Sequence, residues 1–140
     1  MSSQAIDNEE VVLSGLINAA LAVRPQAHAP YSLFQVGAAI LSRSGETFVG
    51  CNVENASFSL TICAERVAAG TAVTSGAREW QAVAVASRGG VTPCGACRQF
   101  LAEFGNDLIV LCVDAETKAV TRFRLSELLP HSFSKDAFAT

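Results

Sequence analysis

The chain has 140 residues, half of them hydrophobic, 16% charged and 7% aromatic, which suits one compact domain with a substantial core and excludes a disordered or fibrous chain. A formal net charge of −3 excludes the basic field that draws nucleic acid or an anionic membrane surface, and fits a small neutral or cationic ligand better. No apolar run reaches the roughly 18 residues of a membrane span, and the start "MSSQAIDNEE" is unlike a secretory signal.

The expected setting is thus intracellular, and there five cysteines read as metal ligands, catalytic groups or core thiols before they read as a disulfide framework. In chain order, residues 8–27 carry Val12, Leu16, Ala19 and Val23, joined by Leu13, Ile17 and Ala20, at helical spacing, with Pro25 where such a helix frays. "FQVGAAIL" (34–41) and "TFVGCN" (47–52), separated by the turn-like "SRSGE", predict two antiparallel strands. A polar connection, "NVENASFSLT" (52–61), leads into a helix through "CAERVAAGTAVTSG", on which Ala64, Val67, Ala68, Thr71 and Ala72 share a face of small side chains; Gly76 is the expected stop.

"AVAVAS" (82–87) and "LIVLCV" (108–113) are fully apolar, as strands buried on both faces are, and the helix expected over 96–105 between them makes a βαβ unit. "VTRFRL" (120–125) alternates like an edge strand, and a short helix or turn follows over 126–133. These elements predict an α/β layered sandwich of about five strands, in one domain over 1–140.

The informative constellation is "CAE" at 63–65 with "PCGAC" at 93–97. Cys94 and Cys97 have the spacing that lets two thiolates reach one metal, and Cys63 can add a third; three protein ligands leave the open position typical of a catalytic rather than structural zinc. Positions i and i+2 lie on nearly opposite sides of a helix, so Cys63 and Glu65 can serve one centre only if Cys63 sits at the helix boundary. Zinc with three thiolates carries an excess negative charge, and Arg66 is the nearest cation in sequence to offset it. Glu65 is then the candidate proton carrier. Cys51 and Cys112 read as core thiols, and His28 and His131 as surface residues.

Beyond this signature, "FQVGAAI" (34–40), "CNVENASFSLTICAERVA" (51–68), "PCGACRQFLAEF" (93–104) and "ELLPHSF" (127–133) closely resemble the small, tetrameric, three-cysteine zinc cytidine deaminases, over about residues 30–133. The resemblance implies a three-layer α/β/α sandwich with a mixed sheet, one Zn2+ per subunit on Cys63, Cys94 and Cys97, and Glu65 as the catalytic proton carrier. It implies a nucleoside substrate bordered by Phe34, with Asn52 and Glu54 on the ribose hydroxyls, the Ala64 amide on the base carbonyl and the Thr92 carbonyl facing the leaving amino group. It also implies a cytoplasmic homotetramer of pyrimidine salvage, in which Phe58 and Phe133 reach a neighbouring subunit's site.

Phe58 stands where the family often has tyrosine, so the ring face is kept and the phenolic hydroxyl is lost. Two other enzyme readings compete, deamination of a modified cytosine nucleoside such as blasticidin S and deamination of deoxycytidylate or nucleic acid; the latter lacks a basic phosphate-binding cluster. A non-catalytic zinc-stabilised interaction module is the alternative from another class, and the retained Glu65 argues against it.

Overall fold

A computed structural model describes residues 3–139; Met1, Ser2 and Thr140 of the expected 1–140 domain lie outside the described residues. The chain runs α1 (Ser3–Val23), β1 (Gly37–Ser42), β2 (Thr47–Cys51), α2 (Ala64–Thr74), β3 (Trp80–Ser87), α3 (Gly95–Ala102), β4 (Ile109–Asp114), β5 (Val120–Arg124) and α4 (Leu125–Leu128), with 3-10 turns at 24–26, 58–60 and 135–138. The five strands form one mixed sheet in the order β2-β1-β3-β4-β5. Only β3 and β4 pair in parallel, as the predicted βαβ unit requires; the other neighbours are antiparallel.

Because successive side chains of a strand point to opposite faces, the central strands feed two separate cores. Ala38, Ile40, Val83, Val85, Val110 and Cys112 face α2 and α3, meeting Ala64, Ala68, Ala69, Ala72 and Leu101. Ala39, Leu41, Ala82, Ala84, Ala86, Leu111 and Val113 face α1, meeting Leu13, Leu16 and Ala20. The result is the expected helix–sheet–helix layering. Two helical faces are rotated from the sequence reading. On α1 the buried stripe is Leu13, Leu16 and Ala20, while Val12 is 47% exposed. On α2, Ala69 replaces Thr71 in the core, and the Thr71 hydroxyl turns outward to bond the Val67 carbonyl.

Two glycines set how closely the helices approach the sheet. A Cβ at Gly37 would lie 2.1 Å from the Ala20 carbonyl oxygen of α1, and one at Gly50 would lie 2.3 Å from the Ala68 nitrogen of α2. Both contacts are with backbone, which cannot swing aside, so α2 rests directly on β2 and its first turn is held in place. Gly50→Ala should therefore force α2 off the sheet and lower stability by about 1–3 kcal/mol. Urea unfolding checks this, and an unchanged midpoint contradicts the packing.

Candidate active site

The metal-type residues come from the N-terminal ends of the two helices packed on the same face of the sheet. Cys63 is the N-cap of α2, with extended backbone at φ −69° and ψ 152°, and its carbonyl accepts from the Arg66 and Val67 amides. Cys94 is the N-cap of α3 at φ −65° and ψ 165°, its carbonyl accepting from the Arg98 amide. Neither side chain caps its own helix, so both sulfurs stay available. Cys63 thus occupies the helix boundary that sharing a centre with Glu65 demands. The helix ends also direct partial positive charge toward both thiols.

The Sγ atoms of Cys63, Cys94 and Cys97 all lie within 4.8 Å of one another, and Cys63 Sγ is 4.0 Å from Cys94 Sγ. Zinc–sulfur bonds of about 2.3 Å in a tetrahedron place sulfurs about 3.8 Å apart, so the triad fits one zinc ion with little adjustment. The surroundings of the Cys63 and Cys97 sulfurs push their pKa values in opposite directions. Cys63 is pulled down to about 5, chiefly because Cys97 donates a hydrogen bond to it, with Arg66 and Cys94 adding to the effect. Cys97 is pushed up, chiefly by the same bond, and burial adds to it.

Arg66 Nη2 lies 3.6 Å from Cys63 Sγ, the charge-balancing contact that the sequence suggested. Glu65, one position before it, is only 5% exposed. Burial pushes its carboxyl above the usual range, and the negative charge on Cys63 adds to that. A buried carboxyl with a raised pKa beside a ligand cluster has the setting of an acid–base group rather than of a solvated glutamate. Cys112 is buried on β4, as expected of a core thiol, whereas Cys51 is half-buried.

The other expected site residues differ in burial and in the partners they bind. Ala64 is fully buried and opens α2, where helix geometry leaves its amide without an intrahelical acceptor. Asn52 is buried, its Oδ1 accepting from the Val36 amide at 2.9 Å and its Nδ2 donating to the Phe34 carbonyl at 2.8 Å. One N–H and one lone pair of that amide remain for other partners. Phe34 is half-buried, with the Arg88 guanidinium 5.9 Å from its ring centroid.

Glu54 clamps the turn that precedes Phe34. Its carboxylate accepts from the Tyr31 amide at 2.9 Å, the Ser32 amide at 3.1 Å and the Ser32 hydroxyl. These bonds, the hydroxyl's foremost, hold the carboxyl below the usual 4.5. The clamp is complete above the usual value and is lost as pH falls through the lowered one. The Tyr31 and Ser32 amide resonances should therefore titrate with a midpoint below 4.5, and Glu54→Gln should abolish that titration.

Glu54 also lines a cleft of about 380 Å³ with Tyr31, Ser32, Phe58 and Thr61. Phe58 is 72% exposed and meets Tyr31 edge-on at 5.6 Å; Phe133, on the C-terminal segment, is 64% exposed. Neither this cleft nor a larger groove of about 520 Å³, between the end of α3 and residues 131–136, is lined by any of the three cysteines.

Two contributors were not read from the sequence. Ser32 forms the Glu54 clamp from 22 positions away, which no local pattern signals. Arg98 binds the loop before Cys94, and here a signal existed: a helical side chain leans toward the preceding turn, so the residue four after a ligating N-cap lies beneath it.

Residues 12–113 match the family model of the cytidine and deoxycytidylate deaminase zinc-binding region. A cytidine deaminase of Sporosarcina psychrophila is 44% identical over 115 residues, covering 81% of this chain and 85% of that protein. A probable cytidine deaminase of Dictyostelium discoideum is 45% identical over 127 residues, covering 89% and 85%. The crystal structure of a cytidine deaminase from Burkholderia pseudomallei superposes with a TM-score of 0.81 at 41% identity, covering 95% of this chain and all of that one. With three sulfurs placed for one zinc ion and a family model matched across both cysteine motifs, this chain belongs to the zinc-binding cytidine and deoxycytidylate deaminase family.

Proposed function

We propose that residues 1–140 form one deaminase domain that hydrolyses cytidine and 2′-deoxycytidine, with water, to uridine and 2′-deoxyuridine, releasing ammonia. The observation that carries this reading is the buried Glu65 carboxyl on the same helix start as Cys63, whose sulfur clusters with those of Cys94 and Cys97. Cys63, Cys94 and Cys97 would hold one Zn2+ per subunit, which when bound would supply the Lewis acidity that activates water at neutral pH.

The chain's own groups do the remaining work. Glu65 takes a proton from the attacking water at its carboxylate oxygen, returns it to ring N3, and carries the second proton to the departing amine. Arg66, through its contact with Cys63, limits the excess thiolate charge that would blunt the Lewis acid. The Ala64 amide, at the positive end of α2, holds the base carbonyl, and the Thr92 carbonyl accepts from the amino group before it leaves. Phe34 borders the ring, while Asn52 and Glu54 take the ribose hydroxyls.

The enzyme is read as a homotetramer with shared sites, acting in pyrimidine salvage in the cytoplasm. Phe58 packs on exposed Tyr31 and Phe133 on exposed Phe138, and such paired apolar rings at the surface support the shared sites, since contiguous exposed apolar patches are what an interface covers. Five free cysteines suit a reducing compartment. No helix among the described residues is long and apolar enough to cross a membrane.

Ammonia release from cytidine, deoxycytidine, deoxycytidylate and blasticidin S tests the reading in one experiment. Turnover of the two nucleosides above the others is the expected result. Turnover of deoxycytidylate or blasticidin S alone would reassign the substrate, and zinc binding without any turnover would make the chain a binding module.

A further inference from the structure

Arg98 lies one helical turn after the Cys94 N-cap, and its side chain folds back over the start of α3. Its Nε donates to the Pro93 carbonyl at 2.7 Å, Nη2 to the Thr92 hydroxyl at 2.8 Å, and Nη1 to the Leu128 carbonyl at 2.7 Å. All three acceptors are neutral, and the guanidinium makes no ion pair among the described residues. An arginine used this way acts as a rigid three-pronged bracket rather than as a charge partner.

What the bracket holds is specific. The Pro93 carbonyl belongs to the peptide plane that leads into Cys94, so fixing that oxygen fixes the rotation from which the Cys94 side chain departs. Cys94 is an exposed residue at a loop–helix junction, and its own side chain makes no capping bond that would hold it there. The Thr92 hydroxyl is captured in the same fork, and Leu128, the last residue of α4, joins the loop to the C-terminal segment.

We propose that Arg98 is a positioning residue that sets the Thr92–Cys94 loop, and with it the direction of the Cys94 sulfur. The inference rests on the reading of Cys94 as a metal ligand. Lysine carries one donor group on a flexible stem and satisfies at most part of this geometry, so charge alone does not substitute for the fork.

The test compares Arg98→Ala, Arg98→Lys and Cys94→Ala with the unaltered protein, reading zinc transfer to a chromogenic chelator and the thiolate-to-metal absorption of the cobalt(II)-substituted protein. Circular dichroism establishes that each is folded. Arg98→Ala should release zinc about 10–100-fold faster, the usual effect of losing a group that orients a metal ligand, with a displaced cobalt spectrum. Arg98→Lys, the variant that best preserves packing, should fall between the two. Cys94→Ala should retain no stoichiometric metal.

Unaltered release and spectrum in Arg98→Lys, together with the same in any folded Arg98→Ala, would overturn the proposal, as would a lowered melting temperature with both readouts unaltered. Stoichiometric metal in Cys94→Ala would instead remove the ligand reading on which it rests.

Discussion

Glu65→Gln should keep its zinc and lose turnover by about 10³-fold to 10⁴-fold, the scale of a positioned acid–base group. Glutamine matches the shape of the side chain and keeps one of its two acceptor oxygens, so a site this buried is not emptied; what disappears is the ability to accept and return a proton. On the proposed roles, in which Asn52, Glu54 and Ala64 hold the ribose and the base, kcat should fall far more than KM rises. Metal analysis and steady-state kinetics on the same preparation check both halves. A variant within tenfold of the parent rate would move the proton-carrying role to another group.

Cys97→Ala should lose zinc and turnover together. Cys97 is fully buried, its sulfur clustered with those of Cys63 and Cys94, and its removal leaves two sulfurs from different helices. Since bound metal stabilises only the folded state, the parent should melt at a lower temperature once a chelator is added. The melting temperature of the variant should not respond to the chelator. Retention of stoichiometric zinc by Cys97→Ala would show that the sulfur triad is not the metal site.

The two cysteine motifs were legible because metal ligation demands specific atoms at specific spacings, and the helix boundary at Cys63 follows from helix geometry once Cys63 and Glu65 are given one centre. The sheet was legible too, since the apolar runs at 82–87 and 108–113 are too short for helices buried on every side. Helix phase was less so. Around α2 the side chains are small on most sides, so periodicity leaves the inward face undecided; contact with Gly50 decides it. The first strand begins at Gly37 rather than residue 34 because the Asn52 side chain binds the backbone at Phe34 and Val36, a contact 16 to 18 positions away.

The helix expected to close at Gly105 ends at Ala102 instead. Phe104 stacks on Trp80 with ring centroids 4.2 Å apart, and the chain leaves the helix to reach it. The bonds of Glu54 to the 31–32 turn and of Arg98 to Leu128 are equally non-local. Both ends of each bond are ordinary residues in the sequence, and only the fold brings them together.

The most direct measurement of the central claim is cytidine turnover against bound zinc during controlled removal and return of the metal. Activity should be proportional to zinc, reaching its maximum at one ion per chain, vanishing on chelation and recovering when zinc is restored. Full cytidine turnover by the zinc-free protein would contradict it.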